Sequence, residues 1–467
     1  MIKHITLTKE ETGLQKSLEK DFTEGNILKH LIRFCVPFLL ANLLQALYGM
    51  VDVLVVGWFC ETPVLTGVNS GSQITHLMVM AVSGLSVGGT VLVAQYFAAR
   101  KPKDVSQTIG TMFSLLLICA AVISVLVLAL LRPILSLMNL DGVALDAGAD
   151  YLRICTYGNV FVFGYNAISA VQRGMGDSKH PLWFVGIACL VNIVLDFLLV
   201  GPLKMGAAGA AWATIAAQGI SLVLAAWYLA KNGFVFDFKL KSFAIIPDKV
   251  KQLVKLGLPS SVQSVVTNLS FIVMTTLANG IGDAAGAAVG VVGKFNSVAI
   301  LPVIAMSSSV SAIAAQNIAA NSYDRALKVM KYGIAISIGL GAIVFAVSQI
   351  FAEPILRIFK SSDEDVIELG AKYLRAFCFD YLCVAFQFNF TSLINASGHA
   401  LFSLFSSAMS SIILRAPLAM WLSKTSLEIA GIGYAAPAAT VFGALMALFF
   451  LMSGKWRYNT TGIQRDE

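Results

Sequence analysis

One stretch of this chain, residues 183–203, reads WFVGIACLVNIVLDFLLVGPL and is predominantly apolar. About twenty such residues are enough to cross the hydrocarbon core of a bilayer as a helix. Similar runs recur along the 467 residues, and only 13% of all residues are charged. An average soluble domain contains about 25% charged residues. The pattern therefore predicts an all-α polytopic membrane protein.

Twelve apolar spans can be delimited, and most connections between them are short. They cover residues 31–57, 72–98, 109–131, 151–172, 182–203, 208–230, 254–280, 288–318, 332–352, 373–395, 400–423 and 431–454. The basic segment 231–253 is the natural cytoplasmic linker between an N-lobe of six spans (31–230) and a C-lobe of six spans (254–454). Residues 1–30 and 455–467 are predicted to be cytoplasmic tails.

Matching landmarks in the two lobes indicate an internal repeat. Pro37 and Pro259 open spans 1 and 7, and VAQYFAARKPKD (93–104) matches AAQNIAANSYDR (314–325). The offset stays at 221 to 222 residues over four landmarks. Because each half has an even number of spans, the halves are expected to share one orientation and to be related by a pseudo-twofold axis along the membrane normal. Such repeats favour a transporter, although a channel or scaffold would also fit them.

The distribution of Lys and Arg predicts the orientation of the spans. The tails and the loops after even-numbered spans carry 23 of these residues, counting Arg33 and Lys255 at the cytoplasmic edges of spans 1 and 7, and the other loops carry 6. By the positive-inside rule both termini are cytoplasmic. The first thirty residues lack the apolar core of a signal peptide, so the first span is expected to direct insertion. We therefore expect a multi-pass protein of the plasma (inner) membrane.

Two aspartates lie inside the N-lobe spans, where a carboxylate is costly unless it faces protein or water. Asp196 is accompanied in span 5 by Asn192, one helical turn away. Asp52 shares one face of span 1 with Tyr48 and Gln45. There are two alternatives for Asp196. Its side chain could extend to the membrane surface from near the helix end, or it could be hydrogen-bonded only for packing. Its position, about seven residues inside the span, favours a functional role.

The orientations predict that these polar groups meet. Asp52, Asp196 and Thr214 of span 6 all fall ~8–10 Å below the outer boundary, Asn192 lies one turn deeper, and Asn166 lies deep in span 4. Two close carboxylates in a low-dielectric site cannot both be charged at low cost. The pair could hold a proton, or Na⁺ could offset its charge with Asp52, Asp196, Asn192 and Thr214 as metal ligands. The residues alone leave H⁺ and Na⁺ open.

The C-lobe lacks the matching acids. At the offset of 222, Met274 replaces Asp52 and Leu418 replaces Asp196. The remaining polar residues are expected to line a substrate cavity or to join helices. The cavity candidates from both lobes are Gln45, Gln263, Asn268 and Gln387.

Three further residues are unusual inside apolar spans. Pro37 removes one helical hydrogen bond and allows a bend, static or moving. Asp380 lies in the outer part of span 10, and Arg415 lies well inside span 11. For Arg415 we expect a salt bridge or a role in capping backbone carbonyl groups.

Several other function classes are excluded. The net charge of +7 lies in loops, where it sets topology and does not indicate nucleic-acid binding. The seven cysteines form no CxxC pair, so neither a disulfide framework nor a zinc site is indicated. The glycine-rich segment 173–181 lacks P-loop spacing, and no Ser/His/Asp set is discernible. We expect no enzyme activity and no cofactor besides a coupling ion.

Six segments, in this order, resemble the multidrug and toxic compound extrusion (MATE) family over almost the whole chain. They are PFLLANLLQALYGMVDVLVVG in span 1, AQYFAARKPKD after span 2, RGMGDSKHP after span 4, NIVLDFLLV and MGAAGAAWAT in spans 5 and 6, and AAQN after span 8. The resemblance implies twelve helices in two six-helix lobes. It also implies secondary active efflux of amphipathic, often cationic organic compounds, driven by H⁺ or Na⁺.

The resemblance also implies roles for individual residues. The N-lobe ion site of the family is similar to the set Tyr48, Asp52, Asn166, Asn192, Asp196 and Thr214, and Pro37 falls where the family's first helix bends. One branch of the family uses acids in the seventh and tenth helices. Here Thr267 and Asn268 stand where the seventh-helix acid is expected, and Asp380 is out of register with the tenth-helix acid. The resemblance therefore does not extend to a second cation site in the C-lobe.

Three hypotheses follow. The first is a cation-coupled multidrug antiporter that works by rocking-type alternating access. The second is a dedicated exporter or flippase of one metabolite or lipid-linked precursor in the same superfamily, and the third is an uncoupled channel or scaffold. The expected partners are small organic substrates and the lipid bilayer, without nucleic acid, and we expect a monomer.

Overall fold

The computed structural model describes residues 20–232, 234–359 and 363–465. Residues 1–19 of the predicted amino-terminal tail lie outside the described residues, as do Gly233 in the linker, residues 360–362 and the last two residues of the chain. The described residues form helices joined by short connections, with no strand among them. This is the arrangement that lets every backbone group of a spanning segment bond within its own helix.

Seven helices make up the first half of the chain. They are α1 (Ile27–Phe59), α2 (Thr62–Ala98), α3 (Pro102–Leu137), α4 (Gly142–Tyr157), α5 (Asn159–Gly174), α6 (Lys179–Val200) and α7 (Gly206–Lys231). Proline stands at the start of α2 and of α3, where its missing N–H has no helical partner to lose. A short 3₁₀ turn, Leu240–Ser242, lies in the linker.

The second half repeats this plan with more interruptions. Its helices are α8 (Pro247–Ile281), α9 (Asp283–Ala299), α10 (Leu301–Ala319), α11 (Tyr323–Ile350), α12 (Ala352–Phe359), α13 (Glu364–Phe377), α14 (Asp380–Ala396), α15 (Ala400–Ala408), α16 (Ala416–Leu422) and α17 (Glu428–Met452). A seven-residue π-helix, Met409–Arg415, connects α15 to α16.

The predicted spans correspond to these helices, but three of them are broken. Ten helical segments of the described chain are long and apolar enough to cross a membrane, and α13 with α14, bent by 43°, gives an eleventh span. The predicted span 151–172 falls on α4 and α5, two helices of 16 residues each that meet at Gly158. Predicted span 288–318 is likewise divided at Ile300 into α9 and α10, so the expectation of one continuous helix is wrong in all three places.

The chain forms two compact units whose boundaries lie next to matching prolines. One unit contains Leu40–Gly257, and the other contains Phe22–Leu39 together with the chain from Leu258 onward. Pro37 lies inside α1 and Pro259 lies inside α8, each within two residues of a boundary. Each proline removes one backbone hydrogen bond from its helix. Both α1 and α8 therefore pass from one unit to the other close to a position where the helix lacks a hydrogen bond.

Small residues allow close helix packing in the first unit. A Cβ atom on Gly67 of α2 would lie 2.6 Å from the backbone nitrogen of Gly148 in α4. Any side chain at Gly67 would therefore push these two helices apart. Close approach through small residues is the usual way in which helices associate where lipid gives no hydrophobic driving force.

The linker is held against α3. The Thr111 hydroxyl donates to the Ala244 carbonyl oxygen at 3.2 Å, and the Ser114 hydroxyl donates to the Phe243 carbonyl oxygen at 2.6 Å. The ring of Phe113 stacks on Phe236 with centroids 6.2 Å apart. Residues 236–244 of the linker are therefore held against α3 of the first unit.

Candidate functional site

Two buried aspartates of the first unit form the centre of the candidate site. Asp52 on α1 is 5% exposed, and Asp196 on α6 is fully buried. Their carboxyl groups lie within hydrogen-bonding reach of one another. The helical spacing and the predicted orientations had placed both side chains at one depth, and the structure brings them into contact.

Asp52 accepts hydrogen bonds from two neighbouring helices. Thr214 Oγ1 of α7 donates to Asp52 Oδ2 at 2.8 Å, and Asn192 Nδ2 of α6 donates to Asp52 Oδ1 at 3.2 Å. Hydrogen bonds from polar groups stabilise the ionised form of a carboxyl group. Asp52 is thus solvated by protein groups in place of water.

Asp196 has no such support. Neither of its carboxyl oxygens has a hydrogen-bond donor among the described residues, and the Oδ1 atom of Asn192 is also buried without a partner. An ionised, fully buried carboxylate without donors is strongly disfavoured. A proton on Asp196 would give the pair the donor that it lacks, and a cation would satisfy the same oxygens.

Tyr48 is joined to this site through a residue that the sequence analysis missed. The Gln218 Nε2 atom of α7 donates to the Tyr48 hydroxyl oxygen at 2.9 Å. Gln218 lies four residues after Thr214 and therefore on the same face of α7. The spacing that linked the polar residues of the other helices would have found it, because Asn192 and Asp196 are separated by the same four residues.

Three other predicted N-lobe residues stand apart from the carboxyl pair. The Asn166 amide donates to the Val162 carbonyl oxygen of its own helix at 2.9 Å, and no hydrogen bond of the described residues joins it to the aspartates. Gln45 is exposed on α1, and Pro37 lies inside the part of α1 that belongs to the second unit. Their predicted roles in cation binding, in the cavity and in bending remain predictions.

Apolar side chains surround the carboxyl pair. The buried cluster next to it contains Val55 and Val56 of α1, Tyr151 and Cys155 of α4, and Val200 of α6. The ion pairs of the described residues do not include Asp52 or Asp196 with any Lys, Arg or His. The unit therefore buries two neighbouring acids that have no paired base among the described residues.

The predicted cavity residues of the C-lobe make local contacts. Gln263 Nε2 donates to the Ser407 hydroxyl at 2.8 Å, and the Asn268 amide donates to the Ser264 carbonyl oxygen of its own helix. Gln387 is buried beside Gly443 of α17. These residues join or cap helices in this structure, and a role in substrate binding stays a prediction.

The C-lobe contains a buried acid and a buried base. Arg415, at the end of the π-helix, donates from its Nη1 atom to the Ser270 hydroxyl at 3.0 Å and lies 4.9 Å from the ring centroid of Phe271. Asp380 is 4% exposed and feels the charge of Arg415, but the two do not form an ion pair within 4.0 Å among the described residues. The predicted salt bridge of Arg415 and its predicted role in capping backbone carbonyl groups are thus both wrong. The guanidinium instead contacts the Ser270 hydroxyl and the ring of Phe271.

No group of three or more His, Cys, Asp or Glu side chains is placed to hold a metal ion in the part of the chain that the structure describes. The carboxyl pair has instead an amide and a hydroxyl as its other polar neighbours. Such a mixed oxygen set suits a proton or a monovalent cation better than a transition metal.

Comparison with known proteins decides the family. The MatE family model matches residues 37–198 and again residues 259–421, so the two matches begin 222 residues apart. This chain belongs to the MatE family. The double match also confirms the internal repeat, since each half alone is recognised. Pro37 and Pro259 are the first residues of the two matches.

Several bacterial relatives have been named as drug exporters. "Probable multidrug resistance protein YpnP" of Bacillus subtilis is 28% identical over 445 residues, which is 94% of this chain and 97% of that protein. "Probable multidrug resistance protein NorM" of Thermotoga maritima is 24% identical over 92% of this chain and 93% of its own length. "Multidrug export protein MepA" of Staphylococcus haemolyticus is 23% identical over 81% and 83%.

Solved structures share the fold of this MatE protein at low sequence identity. A transporter of the MOP superfamily from Pyrococcus furiosus superposes with a TM-score of 0.88 at 19% identity, covering 97% of this chain and 99% of that one. An outward-facing multidrug resistance MATE family transporter superposes with a TM-score of 0.86 at 20% identity, over 98% and 99%. The predicted fold class, an all-α polytopic membrane protein with two six-helix lobes, is confirmed.

The chain is thus a member of the MATE multidrug efflux transporter family, and ten to eleven of its described helical segments are long and apolar enough to cross a membrane. Family membership does not identify the ion that drives transport or the direction of exchange. It also does not identify the residues that couple ion movement to substrate movement.

Proposed function

We propose that this MatE protein is a secondary active antiporter that exports amphipathic, often cationic organic compounds in exchange for a cation bound at Asp52 and Asp196. The observation that carries the proposal is the buried carboxyl of Asp196, which contacts Asp52 and has no donor among the described residues. Such a group is stable with a proton or cation and unstable without one. Its occupancy can therefore drive a conformational change.

The difference between the two aspartates supports a division of roles. Asp52 is held by Thr214 and Asn192, so its negative charge is already stabilised by protein groups. Asp196 depends on the exchanged cation for its partner. We assign cation binding and release mainly to Asp196, with Asp52 as the neighbour whose charge makes an empty Asp196 unfavourable.

Of the two candidate ions, the geometry favours the proton. A proton shared by two contacting carboxyl groups completes a hydrogen bond without further ligands. Na⁺ would need several oxygen ligands at once, and the neighbouring Thr214 hydroxyl and Asn192 amide are already engaged in donating to Asp52. A sodium ion could still recruit the buried Asn192 Oδ1 atom, so the ion is to be decided by experiment.

Rocking of the two halves in alternating access is part of the proposal. The repeat supports it, since transporters built from two related six-span halves work in this way. Occupation of the carboxyl pair by a cation would favour one conformation, and substrate binding would favour the other. The exchange follows from the difference in affinity of each ligand for the two conformations.

The proposal is tested with purified protein in liposomes that contain an ethidium-type dye. A pH gradient and a Na⁺ gradient are imposed separately, and dye movement is recorded for the native chain, for Asp196→Asn and for Asp283→Asn, an exposed aspartate at the start of α9. We expect the pH gradient to drive dye transport in the native chain and in Asp283→Asn, and not in Asp196→Asn. Unchanged gradient-driven transport in Asp196→Asn would exclude coupling at this residue.

A further inference from the structure

Two turns occupy matching places in the two halves of the chain and are not used by the transport proposal. The turn between α2 and α3 lies in the segment 93–104, and the turn between α10 and α11 lies in the matching segment 314–325. Asp104 and Arg325 are 221 residues apart, and each is the third residue of the helix after its turn. The charge at this position is therefore reversed between the halves.

In the first unit, the turn after α2 holds the start of α8. The Lys249 ammonium lies 2.6 Å from the Asp104 carboxylate and 3.8 Å from the ring centroid of Tyr96. The Tyr96 hydroxyl donates to the Gln252 side chain at 2.8 Å. Because Lys249 is only 5% exposed, these neighbours replace the water that would otherwise stabilise its charge. We call these four residues the first clasp.

In the second unit, the turn after α10 holds the segment that leads into α1. The Arg325 guanidinium donates to the carbonyl oxygens of Phe22 at 3.3 Å, Glu24 at 2.8 Å and Gly25 at 2.8 Å. The side-chain oxygen of Gln316 accepts the backbone N–H of Phe22 at 3.0 Å. We call these five residues the second clasp.

The local conformation prepares the carbonyl groups of the second clasp. Gly25 has a φ of +79°, and a Cβ atom there would lie 3.0 Å from the His30 ring. The His30 ring is 2.9 Å from the Glu24 carbonyl oxygen and packs edge-on against the buried Phe22 ring. Asn26 caps α1 by accepting a backbone N–H of its first turn at 3.0 Å. The carbonyl groups are thus held in place for the guanidinium.

Helix stability alone does not explain Arg325. The positive end of the helix dipole lies at the first turn, which favours an acid such as Asp104 and disfavours a base. The carbonyl groups of residues 22–25 supply the compensating partial negative charge. The position of Arg325 is therefore explained by the segment that it binds.

The helices that begin at the two clasps are those that change units. Helix α8 begins at Pro247 in the first unit and passes into the second after Gly257. Residues 22–39 belong to the second unit, and α1 continues in the first from Leu40. Each clasp therefore fastens the start of a spanning helix whose remainder belongs to the other unit.

We propose that the two clasps are positioning elements for transport, which stay closed and keep the starts of α1 and α8 in their units throughout the cycle. This inference rests on the proposed function, since it requires two conformations that exchange. Neither clasp contains Asp52 or Asp196. Opening a clasp should therefore slow the exchange between conformations and leave the affinity for the dye unchanged.

The test uses the full-length protein in liposomes, with ethidium at equal concentration on both sides and radiolabelled ethidium on one side. Without an ion gradient, the rate of label exchange reports how fast the dye-loaded protein changes conformation. This rate does not depend on cation coupling at Asp196. The Kd of ethidium and the thermal stability are measured separately in detergent.

For the first clasp, a charge swap separates the ion pair from a general loss of packing. We expect Asp104→Lys and Lys249→Asp each to slow label exchange about ten-fold with an unchanged Kd. The double variant Asp104→Lys/Lys249→Asp restores opposite charges and should recover most of the rate. Lys103→Gln, a change of the neighbouring exposed lysine, is the control and should exchange at the native rate.

For the second clasp, Arg325→Gln should likewise slow label exchange about ten-fold with an unchanged Kd. Arg325→Lys should be intermediate, because an ammonium keeps the charge and loses the planar fork. The control is Arg457→Gln, which removes an exposed ion pair with Asp324 on the same turn. Native rates in all clasp variants, a double variant as slow as the single ones, or a loss of dye affinity that accounts for the slow exchange would overturn the proposal.

A measurement on the native chain applies if the variants do not fold. The buried amide of Phe22 precedes α1 and is bonded to Gln316. Its hydrogen exchange should stay at least about ten-fold slower than that of an unstructured amide while ethidium is being exchanged. An unprotected amide during exchange would contradict a closed clasp. Failure of the proposed function is distinguishable, since it appears as gradient-driven transport that is unchanged in Asp196→Asn.

Discussion

The two lobes both bury ionisable side chains, but they balance the charge in different ways. In the N-lobe, Asp52 and Asp196 are like groups in contact, with no base paired to either among the described ion pairs. In the C-lobe, an acid and a base, Asp380 and Arg415, act on each other at longer range. Under the proposed function the first arrangement takes up an external cation, whereas the second already contains an acid and a base of opposite charge.

Because of this difference, the N-lobe acids can act as a switch, whereas the C-lobe acid and base are a fixed structural element. A pair of acids changes its net charge whenever a cation arrives or leaves, so it can bias a conformational equilibrium. An acid and a base at longer range partly compensate each other's charge without a ligand, and removing one member leaves the other without that compensation. The repeat has therefore kept the helices and diverged in their polar residues.

The largest expected effect is the loss of gradient-driven transport in the N-lobe variant Asp196→Asn. The amide cannot exchange a cation, while it fits the same space and removes the repulsion from Asp52. We expect driven dye transport to fall by about 100-fold or more, with thermal stability equal to or above that of the native protein. Transport assays in liposomes and thermal unfolding in detergent measure the two quantities separately.

In the C-lobe, Arg415→Gln should show the opposite pattern. Removing the guanidinium breaks its bond to the Ser270 hydroxyl and takes away the longer-range positive charge that acts on Asp380, so stability should fall by about 1.5–3 kcal/mol. The folded fraction should keep its coupling to the gradient. The double variant Asp380→Asn/Arg415→Gln should recover much of the stability, and a double variant less stable than Arg415→Gln would remove the charge-balance interpretation.

A smaller effect is expected when Thr214 is changed to Val, which keeps the shape and removes the hydroxyl that donates to Asp52. A hydrogen bond to a charged group contributes about 1.5–3 kcal/mol, so driven transport should fall by about ten-fold. Thr440→Val is the matched control, since Ala439 and Thr440 match Ala213 and Thr214 in the repeat, where the offset has drifted from 222 to about 226 residues. If both variants lose transport equally, the two lobes do not differ as described.

The smallest effect is expected for Gln218→Leu, which removes the donor to the Tyr48 hydroxyl. A single hydrogen bond between neutral groups contributes about 1 kcal/mol, which corresponds to about a five-fold loss of driven transport. Gln263→Leu, which removes the bond to Ser407 in the C-lobe, serves as the control. A larger loss in the control than in Gln218→Leu would assign the more important polar contact to the C-lobe.

The sequence was sufficient to predict the carboxyl pair because helical periodicity and the charge bias of the loops convert residue number into depth and face. Asp52, Asp196, Asn192 and Thr214 were grouped by that reasoning alone, and the structure brings them together. Asn166 was grouped with them by depth and by resemblance, yet its amide bonds its own helix. Depth does not give the rotation of a helix about its axis, which packing decides.

Breaks in the spans were harder to predict. Pro302 at the start of α10 marks the break at Ile300, and it could have been recognised. The break at Gly158 has no proline at the site, whereas Pro417 lies two residues after the end of the π-helix at Met409–Arg415 and cannot bond the carbonyl group of Ile413. Both depend on contacts with neighbouring helices, as the bond from Arg415 to Ser270 on α8 illustrates.

The central claim is that Asp196 gives up a cation when substrate binds. Proton release on adding dye to the purified protein in weakly buffered detergent, measured with a pH indicator, tests it directly. The account predicts release of about one proton per bound dye in the native chain and none in Asp196→Asn. Equal proton release by both proteins would contradict it.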